Sequence, residues 1–237
     1  ALEGFDGDIM VLTGDAPLLT ADTLRALRDG HQASGAGATL LYYTVDDPTG
    51  LGRLIRDEKG ALLRIVEEKD ASAEERAVRE INPGFFIFDR NVRELAGQLD
   101  DDNAQGEYYL TDLPALYQAR GLTVSTVEGF DETGLLVGVN NRVQLARAET
   151  LLRERIRRHW LLEGVTMQAP ESVFIDDTVE LANDVLLEPG VILRGNRRLE
   201  RGVRVGAYSV LEDVHAGPGE QIPPHSLLTG TAPVEGS

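Results

Sequence analysis

The sequence predicts an α/β domain with a mainly parallel sheet, followed by a helical arm and a short parallel β-helix. Up to about residue 140, short apolar runs alternate with helical patterns, which is typical of a layered α/β fold. Residues 140–162 have the pattern of one long charged helix. After this helix, aliphatic residues recur at every sixth position, a period that neither a helix nor an ordinary strand has.

The strands of the first part are predicted from apolar runs that glycine, proline or aspartate terminates. They are expected at residues 8–13, 38–45, 62–66, 81–88 and 122–127. Helices are expected at 19–27, opened by Thr20 or Asp22, and at 91–99 and 110–120. Ligands of parallel sheets bind beyond the carboxyl ends of the strands, so the residues that follow these strands are candidates for a site.

The β-helix is predicted from a column of aliphatic residues: Ile175, Leu181, Leu187, Leu193, Leu199, Val205 and Leu211. A second aliphatic precedes most of them by two positions, at Val173, Val179, Val185, Val191 and Val203. Three short strands make each coil of about 18 residues, which predicts two to three coils with corners at Gly190, Gly195, Gly202 and Gly206. A meander of antiparallel strands is the alternative. Pro223, Pro224 and the polar tail 229–237 are interpreted as a stop.

Composition excludes several classes of protein. The 237 residues carry 40 acidic and 23 basic side chains, a net charge of -17 that disfavours nucleic acid and anionic membranes as partners. There is no cysteine, which excludes disulfides, thiolate metal sites and cysteine nucleophiles. No apolar run approaches the roughly 20 residues of a membrane span, and no secretory signal is recognisable. We therefore expect a cytoplasmic protein that acts on small molecules or recruits cations.

Asp15 and Asn140 are the first candidates for chemistry. Asp15 follows the first predicted strand behind Gly14, where a sheet presents its ligands, and its oxygens suit a hard cation such as Mg²⁺. The spacing is equally compatible with Asp15 capping the following helix or turn. Asn140 and Asn141 open the long helix and could orient a ligand or supply a metal oxygen, but an ordinary N-cap is the favoured interpretation there.

Other polar segments are less specific. Residues 66–70 and 80–84 place charges at strand ends, where solvated loop charge is the simplest interpretation. Residues 103–112 are polar and then aromatic before a predicted helix, and could be a substrate-side loop or a domain contact. Gly50 and Gly52 could allow a ligand to approach the backbone. Residues 35–37 precede a strand and are interpreted as a loop rather than a phosphate-binding turn. The four histidines share no ligand spacing, so neither a zinc site nor a serine triad is expected.

Taken together, the motifs resemble those of the bacterial bifunctional N-acetylglucosamine-1-phosphate uridyltransferase family. They occur in the family's order: GDAPL at 14–18, DDPTGLGR at 46–53, VEEKDA at 66–71, EINPG at 80–84, NAQGEYYLTD at 103–112 and GVNNRVQLARAE at 138–149. The hexapeptide repeat follows them, as it does in that family. The resemblance covers nearly the whole chain, and NAQGEYYLTD and GVNNR are long enough to be specific.

The resemblance implies a Rossmann-like nucleotidyltransferase domain that carries a left-handed β-helix. It implies that UTP and N-acetylglucosamine 1-phosphate react to give pyrophosphate and UDP-N-acetylglucosamine, a peptidoglycan precursor. Asp15 and Asn140 would hold the Mg²⁺ cofactor and act as the catalytic residues. The nucleotide-sugar site would include Thr13 and Gly14. The N-acetylglucosamine part would contact the three residues Gly52, Glu67 and Asn82, with Asn140 near its phosphate.

Three departures from the family pattern shape the prediction. Pro83 stands where the family usually has threonine and removes a backbone donor, which weakens the expected Asn82 contact. The family's glycine-rich loop ending in Gly-Thr-Arg-Met is not found before residue 8, so we expect the first nucleotide-binding half to be missing. The β-helix is shorter than the family's, and His215 and His225 lie outside the acetyltransferase motifs, so no acetyltransferase activity is expected.

The predicted domains are residues 1–140, an arm at 141–163 and the β-helix at 164–237, through which the chain is expected to form a trimer. Two other functions remain open on the sequence. The chain could be a non-catalytic module for sugar-nucleotide binding or assembly. It could also belong to a nucleotidyltransferase that uses a different sugar or nucleotide.

Overall fold

A computed structural model describes residues 4–129, 138–196 and 198–230. The start of the chain and most of the predicted tail at 229–237 lie outside these described residues. The chain divides into two compact units, Ala1–Arg142 and Val143–Ser237. The three-part division with boundaries at 140 and 163 stays a prediction.

The first unit is built on one seven-stranded sheet. Its strands are β1 (Ile9–Val11), β2 (Ala38–Thr44), β3 (Gly52–Arg56), β4 (Leu62–Val66), β5 (Glu80–Asn82), β6 (Phe86–Phe88) and β7 (Val124–Glu128). Their order is β1-β6-β2-β5-β3-β4, and β7 pairs with β2. The buried core of this unit lies between the sheet and helices that follow β6, and includes Phe86, Phe88 and Tyr117.

Four helices accompany the sheet: α1 (Ala21–Ser34), α2 (Ala73–Arg76), α3 (Val92–Ala96) and α4 (Leu113–Ala119). The Thr20 hydroxyl accepts a hydrogen bond from the Thr23 amide at 3.2 Å and so caps α1, as predicted. The helix continues beyond the predicted end at residue 27 until Gly35, whose φ of 60° provides a left-handed C-cap. Ser72 and Glu75 form a capping box that starts the short α2.

The expectation of a mainly parallel sheet is wrong. Among the described strands of this sheet, only β2 and β7 pair in parallel, and the other pairs are antiparallel. The β1–α1–β2 crossover does place two strands in the same direction, but the antiparallel β6 lies between them. The turn after β3 closes a hairpin with β4, because the Asp57 carboxylate accepts hydrogen bonds from the Lys59 and Ala61 amides at 2.9 Å.

A break between β5 and β6 creates an opening in the sheet. Both strands lie on the same edge of β2, one after the other, and residues 83–85 separate them. The carboxyl end of β1 is beside this break because Val11 pairs with Phe86. The start of β3 is beside it as well, because Gly52 pairs with Asn82. Two strand ends therefore border the same opening.

We predict that Gly84→Ala destabilises the first unit more than Gly60→Ala. Both glycines have a left-handed φ, 84° and 83°, which costs an alanine about 1 kcal/mol. A Cβ at Gly60 would meet nothing within 4 Å, whereas one at Gly84 would lie 2.5 Å from Cγ2 of Thr13. The clash should raise the cost at Gly84 to about 2 kcal/mol or more. Chemical denaturation of both variants measures the difference, and equal costs would contradict the described break.

The long helix α5 (Arg142–Leu162) belongs to the second unit except for its first residue. Ten short strands follow: β8 (Thr166–Met167), β9 (Phe174–Ile175), β10 (Glu180–Leu181), β11 (Leu186–Leu187), β12 (Ile192–Arg194), β13 (Arg198–Leu199), β14 (Arg204–Val205), β15 (Val210–Glu212), β16 (Gln221–Ile222) and β17 (Leu227–Thr229). They form three parallel sheets, β8-β11-β14-β16, β9-β12-β15-β17 and β10-β13. The predicted fold class, an α/β domain followed by a helical arm and a parallel β-helix, is confirmed.

The predicted aliphatic column forms the β-helix core. All seven of its members and all five aliphatics that precede them by two positions are buried. Two of the sheets contain four strands, so the β-helix extends into a fourth coil, beyond the two to three expected. Ala216 and Ile222 continue the buried column after Leu211, but a spacing of five residues interrupts the strict sixfold period. The irregular spacing is therefore the reason that the sequence pattern does not indicate the last coil.

None of the helices in the described ranges has the length and hydropathy needed to cross a bilayer.

Candidate active site

A cavity of about 430 Å³ opens at the break between β5 and β6. Of the seven residues predicted for the site, six line it: Thr13, Asp15, Gly52, Glu67, Asn82 and Asn140. Gly14 lies between two of them in the chain but does not itself line the cavity. The structure therefore brings together residues from five separate segments. Their individual roles stay predictions.

Asp15 and Asn140 occupy one corner of this cavity. The Val139 amide donates to the Asp15 carbonyl at 2.8 Å, which fastens the segment 138–140 to the end of β1. A Cβ at Gly138 would lie 2.0 Å from Oδ2 of Asp15, so a side chain at this position would displace the carboxylate. Nδ2 of Asn140 donates to the Gly138 carbonyl at 3.4 Å. Thr20 rather than Asp15 caps α1, which excludes the helix cap proposed as an alternative for Asp15. A role of Asp15 in the turn stays an alternative.

The corner suits a cation that takes few ligands from the protein. Within the described parts of the chain, no three His, Cys, Asp or Glu side chains lie close enough to hold a metal ion together. The described acidic and histidine side chains therefore do not form a complete protein cage there. Asp15 and Asn140 offer a carboxylate and an amide oxygen, which are hard ligands. Mg²⁺ commonly binds through one or two carboxylates and completes its shell with waters and substrate phosphates, so these residues fit it.

Glu67 faces the cavity from the end of β4. The Thr111 hydroxyl donates to its Oε1 at 3.0 Å. A Cβ at Gly52 would lie 3.3 Å from the same oxygen, so the carboxylate packs against the bare backbone. Burial raises the pKa of Glu67, the hydrogen bond from Thr111 opposes this rise, and the nearby Asp112 and Asp70 add to it. The carboxylate can accept hydrogen bonds from ligand hydroxyl or amide groups.

Asn82 is held at the break itself. Its side chain is buried, and its Oδ1 accepts a hydrogen bond from the Gly84 amide at 3.0 Å. The Thr13 hydroxyl donates to the Pro83 carbonyl at 3.4 Å. Pro83 contributes no amide hydrogen, and the amide of Gly84 instead fixes the Asn82 side chain. The substitution of the usual threonine therefore leaves Asn82 oriented on the cavity wall.

The cavity wall also contains residues that the motifs did not single out individually, among them Phe86, Tyr108, Leu110 and Thr111. The segment 103–112 is either a substrate-side loop or a domain contact on the sequence, and the presence of residues 108–111 in the cavity wall favours the first. A 3-10 turn at Leu110–Asp112 brings Thr111 to Glu67, which is 44 positions earlier in the chain. The motif NAQGEYYLTD was the available signal, but spacing alone does not reveal this contact.

The Glu67→Gln substitution tests the raised pKa of Glu67 through the pH dependence of the protein's stability. Because the folded-state pKa is raised, the carboxyl group favours folding below its ordinary pKa, and this contribution is lost as pH rises through the folded-state pKa. Glutamine cannot ionise and can still accept the Thr111 hydrogen bond. We expect the stability of Glu67→Gln relative to wild type to increase from about pH 4 to about pH 7 in denaturant titrations.

Glu94→Gln is the control, because its stability relative to wild type should change with pH in the opposite direction. A hydrogen bond and charge from Arg120 lower the pKa of Glu94, so its favourable contribution appears above its ordinary pKa. The Glu94→Gln variant should lose relative stability over the same pH interval, by a small amount because the pair is exposed. A Glu67→Gln variant that follows the same trend as Glu94→Gln would contradict the assignment.

No family model matches the chain. It is 43% identical over 229 residues to the bifunctional protein GlmU of Thermus thermophilus, covering 97% of this chain and 50% of that protein. The corresponding protein of Caldanaerobacter subterraneus is 43% identical over 215 residues, which is 90% of this chain and 47% of the relative. That of Heliobacterium modesticaldum is 44% identical over 212 residues, which is 88% of this chain and 46% of the relative.

The chain thus spans about half the length of the curated relatives it matches. Among solved structures, a Bacillus anthracis protein assigned as a glucose-1-phosphate thymidylyltransferase, in complex with sucrose, shares 24% identity with a TM-score of 0.48. The structural match covers 63% of this chain and 56% of the Bacillus anthracis chain. This likeness is too low to bear on function.

Proposed function

We propose that the native protein carrying this sequence is a sugar-1-phosphate nucleotidyltransferase, because the chain is a homologue of the GlmU bifunctional proteins over about half of their length. The family recognition made from the motifs is confirmed by these relatives. More specifically, we propose that UTP reacts with N-acetylglucosamine 1-phosphate to give UDP-N-acetylglucosamine and pyrophosphate, in a reaction that requires Mg²⁺.

The main support for this proposal is that six of the predicted residues line one cavity. Thr13, Asp15, Gly52, Glu67, Asn82 and Asn140 come from distant parts of the chain, and the break in the sheet brings all six together. The described lining contains two carboxylates, Asp15 and Glu67, and no arginine or lysine. An anionic substrate would therefore be repelled from this wall unless a cation neutralised it. This charge balance supports a metal ion at the Asp15 corner.

The proposed reaction needs orientation more than a strong base. An oxygen of the sugar phosphate attacks the α-phosphorus of UTP, the bond from that phosphorus to the bridging oxygen breaks, and pyrophosphate leaves. A phosphate monoester is already anionic at neutral pH, so no side chain has to remove a proton. Positioning and charge neutralisation provide most of the rate enhancement in such transfers.

Each side of the cavity has a distinct part in this scheme. Glu67 accepts hydrogen bonds from the sugar, and Thr111 fixes its carboxylate. The Asn82 amide orients the sugar from the break, and the absence of a side chain at Gly52 lets the ligand approach the backbone. Asp15 and Asn140 would hold Mg²⁺, which when bound neutralises phosphate oxygens.

Pyrophosphate release from UTP and N-acetylglucosamine 1-phosphate, measured on the native protein that carries this sequence, tests the proposal. We expect release with Mg²⁺ and its loss when a chelator removes the metal. An absence of release under both conditions would overturn the proposal. Binding of UDP-N-acetylglucosamine without turnover would favour the non-catalytic module. Faster release with another sugar phosphate or nucleotide would favour the related enzymes of different specificity.

Assembly through the β-helix belongs to the same proposal. The strands of the β-helix form three parallel sheets. Most soluble oligomers have closed symmetry, and we propose a trimer in which copies of the β-helix pack around a common axis. Sedimentation of the native protein measures its mass directly.

A further inference from the structure

A buried guanidinium lies directly behind one wall of the cavity. Arg53 follows Gly52 on β3, between β4 and β5, and only 1% of its surface is exposed. One of its terminal nitrogens donates to the Leu51 carbonyl. The other donates to Oε2 of Glu68 at 2.5 Å. Its Nε is buried and has no hydrogen-bond partner among the described residues.

Glu68 connects this guanidinium to the start of the same wall. Its Oε2 also accepts a hydrogen bond from the Gly50 amide at 3.2 Å. Arg76 approaches the other carboxylate oxygen at 3.7 Å and donates to the Glu68 carbonyl. The hydrogen bond from Arg53, with that from Gly50, holds the pKa of Glu68 below its usual range. One carboxylate thus binds both the segment and the guanidinium behind it.

The two side chains together hold the segment 50–52 through one backbone carbonyl and one backbone amide. Arg53 holds the carbonyl of Leu51, and Glu68 holds the amide of Gly50. All three residues of this segment line the cavity. Gly52 in turn packs against the Glu67 carboxylate and pairs with Asn82. A shift of the segment would therefore move the wall that faces both of these side chains.

Stability alone does not explain a buried arginine at this position. Removing a guanidinium from water costs several kcal/mol, and apolar residues of similar size often replace buried ion pairs without loss of stability. The hydrogen bonds of Arg53 and Glu68 are instead directed at the backbone of a cavity segment. A lysine could not replace Arg53, because its single ammonium group lacks the planar fork that reaches two acceptors in fixed directions.

We infer that Arg53 and Glu68 are positioning residues for the sugar side of the cavity, an inference that rests on the proposed function. They hold the segment 50–52 so that Gly52 and Glu67 present a fixed surface to the sugar phosphate. Neither side chain has to touch the reacting atoms. The pair should therefore influence the recognition of the sugar phosphate far more than that of UTP.

The same strand offers a matched control pair. Arg56 and Glu80 form an ion pair at 2.5 Å near the other end of β3, and neither residue lines the cavity. The test compares Glu68→Ala with Glu80→Ala, and Arg53→Lys with Arg56→Lys, in the native protein. We expect Glu68→Ala and Arg53→Lys to raise the KM for N-acetylglucosamine 1-phosphate about tenfold, equivalent to about 1.4 kcal/mol. The KM for UTP and the kcat should change less than about twofold.

A conservative variant separates positioning from a loss of folding. Glu68→Gln keeps an oxygen that can accept from both Gly50 and Arg53, so it should retain a KM closer to wild type than Glu68→Ala does. Melting temperatures recorded on all variants should show that each one remains folded at the temperature of the assay. If the wild type is active and Glu68→Ala and Glu80→Ala have equal KM values for N-acetylglucosamine 1-phosphate, the positioning role is overturned while the proposed function stands. An inactive wild type would instead overturn the proposed function.

Discussion

Asp15→Asn is expected to lower the rate of pyrophosphate release by about a hundredfold or more, which is typical when a group that stabilises transferring charge is removed. Asparagine keeps the size and shape of the side chain but removes its negative charge. The described cavity lining has no arginine or lysine, so under the proposal a metal ion held by Asp15 would be the cation at this wall. Weaker metal binding should therefore appear as a higher Mg²⁺ requirement as well as a lower rate.

Asp22→Asn serves as the control for this prediction. Asp22 is an exposed carboxylate in the first turn of α1, where it pairs with Arg25 outside the cavity. Its replacement changes the net charge by the same amount as that of Asp15, and exposed pairs contribute little to stability. The rate should stay within about twofold of wild type. Undiminished release after Asp15→Asn would exclude Asp15 from the reaction.

Leu187→Ala should have the largest effect on stability, about 2–5 kcal/mol. Leu187 is fully buried in the aliphatic column, on β11, which pairs with β8 on one side and β14 on the other. The coils above and below fix the backbone, so the cavity left by the leucine side chain cannot close easily. Thermal and denaturant unfolding of the second unit measure this loss.

Leu227→Ala is the matched substitution on the β-helix surface. Leu227 lies on β17 and is 75% exposed, so its truncation should change the free energy of unfolding by less than about 0.5 kcal/mol. Comparable losses for the two variants would mean that the aliphatic column is not the core of the second unit.

The β-helix was predictable because each coil repeats one physical requirement. Every sixth residue must be aliphatic to fill the interior, and the seven predicted positions satisfy it. The prediction ended at Leu211 because the next inward residue, Ala216, is five positions away rather than six. A column that depends on spacing loses its signal at the first irregular corner.

The sheet of the first unit was only partly predictable. Apolar runs indicate where strands form, but strand direction depends on connections that the runs do not contain. β3 was missed because glycine begins it and Arg53 interrupts its apolar pattern. Arginine is normally exposed, and its burial here depends on Glu68, a partner 15 positions away. The sequence contains both residues without indicating that they meet.

The candidate site was predictable residue by residue from motifs, but its shape was not. The motifs named Gly52, Glu67 and Asn82, whereas the break between β5 and β6 explains why they converge. The hydrogen bond from Thr111 to Glu67 depends on a turn that no periodicity indicates. Long-range contacts of this kind arise from the fold as a whole.

The proposed site can be located in a crystal structure of the native protein with UDP-N-acetylglucosamine and Mn²⁺, because the anomalous scattering of Mn²⁺ identifies its position. We predict the sugar between Gly52, Glu67 and Asn82. We also predict an anomalous peak at about the 2.1 Å expected for oxygen ligands of such a cation, from Asp15 and Asn140. A nucleotide sugar bound outside this cavity, or a metal ion without either residue as a ligand, would contradict the account.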